Sequence, residues 1–343
     1  MGARMKRTSL YFTEPGKVET RLESMPPSGP DQLAVQTEVS AISPGTEMLI
    51  YRGQAPADLP ADESLASLEG DLSYPLKYGY ACAGRVVAVG SSELGAWEGR
   101  RVFSFQPHTS AFHARPDQVI PIPEGSSMEQ AVFLPNLETA VNLVHDGVPL
   151  LGERVVVFGQ GVVGLLTSAL LSALPLERLI TLDRYELRRQ ASLQAGAHAS
   201  LDPLAADTSA ALGELLEGEP AGADLVFELS GAPQALNQAI EVAGFDGRIV
   251  VGSWYGTKKA PLDLGGRFHR QRIRLISSQV STIRPDLSGR WTKARRLEVA
   301  LRQLHEIQPE RWITQRFPIE RAQQAYQLID QHPDQTIQVL LTY

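Results

Sequence analysis

The segment that most constrains the fold is GQGVVG at residues 159–164, which directly follows the apolar run RVVVF. Such a run is typical of a buried strand, and the stretch VVGLLTSALL that opens within the glycine segment is typical of an apolar helix. Glycine permits a tight turn at Gly159, close approach of another group at Gly161, and close packing of helix on strand at Gly164. The pattern therefore predicts a strand, a turn and a helix of a parallel α/β sheet.

Further apolar runs follow in the same style, and they predict a doubly wound parallel sheet. The runs RLITLD, ADLVFELSG, GRIVVGS and IRLISS alternate with helical stretches, as successive βαβ units do. Earlier in the chain, QLAVQTEVSAIS and RRVFSF alternate apolar and polar residues between glycines, which predicts a separate β-rich domain. The terminal run TIQVLLTY is expected to return to that first domain. We therefore assign residues 1–136 and 281–343 to one domain and 137–280 to the other.

Asp183 ends the run RLITLD about 20 residues after the glycines, where a dinucleotide-binding fold has an acid that accepts hydrogen bonds from the adenosine ribose. The free amides at the N-terminus of the helix VVGLLTSALL, which opens within the glycine segment, suit a pyrophosphate. A carboxylate repels a 2′-phosphate, so NAD(H) is favoured over NADP(H), although Arg184 beside it leaves NADP(H) open. Other predicted contacts are Val162 and Val163, which start the helix, and Gly252, which follows GRIVV.

Composition limits the kind of protein and the kind of partner. A chain of 343 residues with 43% apolar and 21% charged residues is typical of a globular protein with two domains. The net charge of -7 argues against a nucleic-acid surface and favours a small-molecule partner. Cys82 is the single cysteine, so no intramolecular disulfide forms. The beginning of the chain predicts no signal peptide, and no run has the roughly 20 apolar residues of a membrane span, so we expect a cytoplasmic protein.

The order of a β-rich domain, a dinucleotide fold and a returning tail resembles the medium-chain dehydrogenase/reductase family of zinc-type alcohol dehydrogenases, over nearly the whole chain. The match rests on GTE at residues 45–47, GYA at 79–81 and ELSG at 228–231. The resemblance implies a GroES-like β-barrel catalytic domain, an inserted Rossmann coenzyme domain and an active site in their cleft. It also implies coenzyme contacts at Arg188 and Ser230. Within the family, the chain looks most like the branch of the bacteriochlorophyllide dehydrogenases.

The family's zinc ligands are replaced in this sequence. Pro44 stands where relatives have a cysteine, and Tyr80 and Ala81 stand where relatives have histidine and glutamate. A catalytic zinc ion needs about three ligands drawn from Cys, His and carboxylates. We therefore predict that the protein holds no zinc.

Without a metal, side chains must polarise the substrate oxygen and move its proton. Tyr80 carries a phenol at the position of the lost ligand, Thr46 resembles the family's proton-relay hydroxyl, and His108 carries an imidazole that can donate or accept a proton. Each has an ordinary structural interpretation, as a packing tyrosine, a helix-start threonine or a surface histidine. Glu138, expected where the chain crosses between domains, is either a cleft residue or an interdomain hydrogen-bonding residue.

Three functions are compatible with these residues. The leading hypothesis is zinc-independent, NAD(H)-dependent hydride transfer between nicotinamide and a secondary alcohol or ketone. The second is reduction of an enone or quinone, which needs little acid catalysis. The third is a dinucleotide-binding protein without turnover. By resemblance alone, we expect a homodimer formed through the strand around IRLISSQV.

Overall fold

The computed structural model describes residues 6–61, 65, 67–68 and 70–343. Residues 1–5, which begin the segment predicted not to be a signal peptide, lie outside the described residues. The strands in the described part of the chain are β1 (Lys6–Glu14), β2 (Lys17–Ser24), β3 (Leu33–Ala41), β4 (Cys82–Val89), β5 (Arg101–Ser104), β6 (Ala111–Ala114), β7 (Ile120–Pro121), β8 (Arg154–Phe158), β9 (Arg178–Leu182), β10 (Ala199–Leu201), β11 (Ala223–Glu228), β12 (Ala243–Val251), β13 (Arg274–Ser277), β14 (Ile313–Pro318) and β15 (Gln338–Thr342). The helices there are α1 (Thr46–Tyr51), α2 (Met128–Ala131), α3 (Leu134–Gly147), α4 (Val162–Ser172), α5 (Glu186–Gln194), α6 (Thr208–Leu215), α7 (Pro233–Val242), α8 (Lys293–Ile307) and α9 (Ala322–Gln331).

The chain divides into two compact units. The first contains the residues up to 135 together with 304–343, and the second contains 136–303. Residues 281–303, which the sequence assigned to the first domain, group with the second unit. One reason is Arg296 on α8, which hydrogen bonds to Glu138 on α3 inside the second unit. The assignment of catalytic and coenzyme domains to these units stays a prediction.

The second unit is built on a six-stranded sheet in the order β10-β9-β8-β11-β12-β13. All five strand pairs are parallel, as the runs of apolar residues predicted. Every residue of β8 is buried, because helices cover both faces of a doubly wound sheet. The carboxyl ends of the strands lie at one edge, so the residues that follow them, including Gly159, Asp183 and Gly252, share that edge.

The first unit contains a sheet in the order β14-β15-β3-β4-β5-β7, with β6 also paired to β3, and a separate hairpin of β1 and β2. The last strand, β15, is antiparallel to β3, where Leu341 pairs with Ser40. The end of the chain therefore completes the sheet of this unit. Its core packs around fully buried side chains that include Leu10, Phe12 and Tyr326.

No helix among the described residues is both long and apolar enough to cross a membrane.

Candidate functional site

The turn between β8 and α4 requires glycine at two positions and leaves a third exposed to an approaching group. Gly159 has φ +88°, and a Cβ there would lie 2.6 Å from the backbone of Ser230. A Cβ on Gly164 would lie 1.9 Å from the carbonyl oxygen of Gly159. A Cβ on Gly161 would meet nothing within 4 Å. Two glycines thus serve packing, and Gly161 leaves open space at the helix N-terminus.

The first turn of α4 presents amides without a side-chain cap. Gly161 is the N-cap residue and makes no side-chain capping hydrogen bond. Val162 is buried at 2% exposure, and Val163 is half-buried. The buried Val162 side chain packs inside the unit, so any contact that Val162 makes with a ligand is through its amide. Such an end attracts an anion through free N–H groups and the helix dipole.

Asp183, the predicted ribose contact, supports this turn through two backbone hydrogen bonds. Its Oδ2 accepts the amide of Gln160 at 2.7 Å, and its Oδ1 accepts the amide of Tyr185 at 2.9 Å. Arg184 and Arg188 each lie 4.9 Å from the centre of the Tyr185 ring, and Nη1 of Arg188 lies 3.9 Å from Oδ2 of Asp183. The carboxylate of Asp183 therefore lies beside the guanidinium of Arg188, and both Arg184 and Arg188 lie over the Tyr185 ring.

A second carboxylate, which the sequence analysis named only as part of the ELSG segment and gave no role, lies at the end of β11. Glu228 is fully buried, and its Oε1 accepts the amide of Ser230 at 2.8 Å. The Tyr255 hydroxyl donates to Oε2 at 2.5 Å. Burial and the nearby negative charge of Glu228 raise the pKa of Tyr255 far above its usual range, so it stays a donor. Gly252 has a packing role, since a Cβ there would lie 2.6 Å from the side chains of Leu143 and Leu229.

In the first unit, the predicted residue Tyr80 forms a hydroxyl pair with Ser43. Tyr80 is half-buried just before β4, and its hydroxyl donates to Oγ of Ser43 at 2.7 Å. The amide of Ser43 donates to Oε1 of Glu47 at 2.8 Å. Thr46 is half-buried at the first position of α1. No short motif marks Ser43, because its partner is 37 residues away in the sequence.

His108 is placed differently from a surface histidine. It is fully buried, with Nε2 3.0 Å from Oε2 of Glu47 and Nδ1 2.7 Å from Oγ of Ser40. The Tyr326 hydroxyl donates to the same oxygen of Glu47. Burial, together with the charge of Glu47, raises the pKa of Tyr326 well above its usual value. His108 therefore supports the turn of residues 43–47, and its predicted role as a general acid stays a prediction that this burial disfavours.

The residues at the two segments that carry zinc ligands in the family pattern do not fit a zinc site. Tyr80 is bonded to Ser43, and the ligand-type side chains of Glu47 and His108 are bonded to each other. Across the described residues, no group of three or more His, Cys, Asp and Glu side chains lies together. A zinc site of this family would need about three such ligands.

A cavity of about 460 Å³ lies in the first unit, apart from the predicted site residues. Its lining includes Arg7, Tyr11 and Lys77, which surround Glu23. Burial by itself would raise the pKa of Glu23, but hydrogen bonds from Tyr11, Ser9 and Arg7 lower it to about 2. The charges here are largely paired within the protein.

Comparison with known proteins finds similarity to dehydrogenases over part of the chain. Residues 162–297 match the family described as "Zinc-binding dehydrogenase". D-guloside 3-dehydrogenase of Escherichia coli K12 is 27% identical over 226 residues, which are 65% of this chain and 64% of that protein. The chain thus spans slightly less than two thirds of this curated relative. The matched part of the chain is therefore similar to proteins of the dehydrogenase type.

Solved structures confirm the predicted α/β fold class. A short chain alcohol dehydrogenase of Escherichia coli CFT073, solved with NADH, has a TM-score of 0.78 at 18% identity and covers 98% of this chain and 99% of its own. A putative zinc-binding dehydrogenase of Sinorhizobium meliloti 1021, solved with NADP, has a TM-score of 0.77 at 20% identity. The match covers 99% of this chain and 100% of that chain. At such identities the likeness shows the fold alone.

Proposed function

We propose that this chain is a zinc-independent oxidoreductase that transfers a hydride between NAD(H) and a secondary alcohol or ketone. The observation that carries the proposal is the turn after β8, where Gly161 leaves open space before a helix N-terminus that has no side-chain cap. Asp183 directly follows the neighbouring strand β9 and accepts the amide of Gln160 in this turn. This arrangement suits a pyrophosphate and a ribose at adjacent strand ends. The similarity to dehydrogenases supports the reaction class.

Several residues of the second unit would hold the coenzyme. The amides at Gly161, Val162 and Val163 would donate to the pyrophosphate, and Asp183 would accept from the ribose diol. Arg188 and Ser230 are proposed as further contacts. The bound coenzyme would supply the hydride acceptor or donor.

The preference for NAD(H) over NADP(H) rests on the charge of Asp183. Two of the lone-pair directions of its carboxylate are taken by the amides of Gln160 and Tyr185, which leaves further acceptor capacity for a ribose diol. Arg184 and Arg188 flank the Tyr185 ring and are the groups that would accept a 2′-phosphate instead. The affinity for NADPH therefore tests whether repulsion of the 2′-phosphate by Asp183 outweighs its attraction to Arg184 and Arg188.

Tyr80 is proposed as the residue that donates a proton to the substrate oxygen during ketone reduction and accepts it in the reverse direction. Its hydroxyl donates to Ser43, so a carbonyl oxygen would compete with Ser43 Oγ for the same proton. Glu47 holds the amide of Ser43, and His108 holds Glu47, so both act as positioning residues. Thr46 is proposed as a relay hydroxyl. A hydroxyl pair of this kind favours alcohol chemistry over enone reduction, which needs little acid catalysis.

The experiment compares Tyr80→Phe with the matched control Tyr78→Phe. Tyr78 packs edge-on against Tyr80 at 6.2 Å between ring centres, and its hydroxyl donates to the carbonyl of Ala61 and not to Ser43, so it is a tyrosine beside the proposed proton path. Turnover is measured by NADH absorbance over secondary alcohols, polyols, ketones and enones. We expect Tyr80→Phe to lower turnover by roughly 10²–10⁴ with NADH affinity unchanged, and the control to keep its activity.

Two results would redirect the proposal. Full activity of Tyr80→Phe on enones, with none on alcohols in either protein, would establish the enone-reductase alternative. Tight NADH binding without turnover of any tested compound would favour a dinucleotide-binding protein.

Three finer assignments rest on the sequence and are part of this proposal. The chain is assigned to the branch of the bacteriochlorophyllide dehydrogenases because it resembles them in the segments around residues 45–47 and 79–81. A homodimer through β13 is supported by the position of this strand at the edge of its sheet and by the exposed side chain of Leu275. A cytoplasmic location is supported by the single cysteine.

A further inference from the structure

Arg296 on α8 is a buried cation whose donors are all used. Its residue exposure is 1%. Nε and Nη2 donate to Oε1 of Glu138 at 3.2 and 2.9 Å, and Nη1 donates to Oδ1 of Asn142 at 2.6 Å. Nη1 also donates to the carbonyl of Thr282 at 2.9 Å, and Nη2 to that of Val280 at 2.5 Å. Arginine has five N–H donors, and each has an acceptor here.

These bonds tie the segment that follows β13 to helix α3. We call residues 278–284 the strap. At its start, the Ser278 hydroxyl donates to Oδ2 of Asp146 at 2.6 Å. At its end, Nη1 of Arg284 donates to the carbonyls of His145 and Asp146 at 3.0 and 3.2 Å. In the middle, Thr282 and Ser281 bond to Gln279 within the strap, and the carbonyls of Val280 and Thr282 accept from Arg296. Arg296 thus ties the middle of the strap to α8 and, through Glu138 and Asn142, to α3.

The strap lies at the edge of the sheet where a dinucleotide would bind. Strands β9 and β10 lie on one side of β8, and β11, β12 and β13 lie on the other. A dinucleotide crosses such a sheet at the carboxyl ends of its strands, with the pyrophosphate at the first helix. Because Asp183 follows β9 and takes the adenosine ribose, the other nucleoside lies on the side of β11 to β13. The strap is the continuation of β13.

We propose that Arg296 is a positioning residue for the nicotinamide half of the coenzyme, acting by fixing the backbone of the strap. The proposal rests on the proposed function, since it assumes that the second unit binds a dinucleotide. Glu138, which sequence reasoning placed in a cleft or an interdomain contact, instead serves as the counter-ion of Arg296 at 13% exposure. Glu138→Gln is therefore expected to act in the same direction as loss of Arg296.

The test separates the two halves of the ligand. NADH is titrated by fluorescence, and ADP-ribose, which lacks the nicotinamide, is titrated by calorimetry. In Arg296→Met we expect NADH to bind about tenfold more weakly, or about 1.4 kcal/mol, while ADP-ribose stays within about twofold of the wild type.

The matched control is Arg154→Met, which removes another buried arginine from the same unit. Arg154 is 6% exposed at the amino end of β8, and its guanidinium donates to the carbonyls of Leu216, Glu217 and Pro220. Its contacts lie at the opposite edge of the sheet. We expect Arg154→Met to have a lower melting temperature and an unchanged affinity for both ligands.

A second variant of the strap serves if Arg296→Met does not fold. Ser278→Ala removes one anchor of the strap and should shift the ratio of the NADH affinity to the ADP-ribose affinity in the same direction.

Each outcome decides between the hypotheses. Selective loss of NADH affinity in Arg296→Met or Ser278→Ala, with none in Arg154→Met, supports the positioning role. Equal loss of both ligands, unchanged NADH affinity, or the same selectivity in the control overturns it while leaving the proposed function intact. A wild-type protein that binds neither ligand overturns the proposed function and this inference together.

Discussion

Two substitutions in the turn between β8 and α4, Gly161→Ala and Gly164→Ala, are expected to separate the effect of packing from the effect of ligand binding. In Gly164→Ala the new Cβ would lie 1.9 Å from the carbonyl oxygen and 2.9 Å from the carbonyl carbon of Gly159. Contacts below 3 Å to backbone are not tolerated by a Cβ, so the helix and the turn must separate by more than about 1 Å. Neither group is a flexible side chain, and overpacking of this kind costs about 1–3 kcal/mol. We expect Gly164→Ala to lose both stability and NADH affinity.

Gly161→Ala is expected to behave differently, although the two positions are three residues apart. Its Cβ meets nothing within 4 Å, and the φ of -69° at Gly161 is accessible to alanine. Stability should therefore change little, because the loss of unfolded-state entropy is offset by the weaker preference of alanine for the N-cap position. The added methyl group occupies the space in front of the helix amides, and we expect NADH to bind about 10–100-fold more weakly, or about 1–3 kcal/mol.

The assay measures urea unfolding and NADH fluorescence on the same preparations. Gly213→Ala is the matched control, since Gly213 lies within α6 and a Cβ there also meets nothing within 4 Å. It should gain about 0.4–1 kcal/mol of stability and keep its NADH affinity. If Gly161→Ala binds NADH as the wild type does, the open face at Gly161 is not the pyrophosphate site and the reasoning fails.

Three further changes test the remaining arguments. Asp183→Ser should relax the preference for NADH over NADPH by on the order of 1–3 kcal/mol in fluorescence titrations, and should also lower the melting temperature because Asp183 accepts the amides of Gln160 and Tyr185; a wild type that prefers NADPH would shift the weight to Arg184. Elemental analysis of the purified protein should find far less than one zinc ion per chain, and a strong chelator should leave turnover unchanged, whereas stoichiometric zinc would refute the metal-free mechanism. Glu23→Gln should lower the free energy of unfolding at neutral pH by about 1–2 kcal/mol, after discounting for partial exposure. Because the folded-state pKa of Glu23, about 2, lies below its usual value of 4.5, this stabilisation is present above about pH 4.5 and is lost as the pH falls toward 2; a destabilisation as large at pH 2 as at pH 7 would contradict the assignment.

The turn and the acid that we propose to hold the coenzyme were predictable from the sequence because their signals are local. A strand, a glycine turn and a helix follow each other directly in residues 154–172, and backbone sterics dictate where glycine is needed. The acid at Asp183 follows the next strand, and parallel strands bring their carboxyl ends to one edge of a sheet. Pattern and chain direction therefore placed these residues together before any contact was known.

The side-chain pairs within each unit were decided only by tertiary structure. Ser43 meets Tyr80, His108 meets Glu47, and Arg296 meets Glu138 across separations of 37, 61 and 158 residues. A histidine that the sequence allows at a surface or in a reaction can equally be buried against a carboxylate, and residue type does not distinguish the two. The distinction depends on which strands and helices pack together, because burial removes water and makes a specific hydrogen-bond partner necessary for each polar atom.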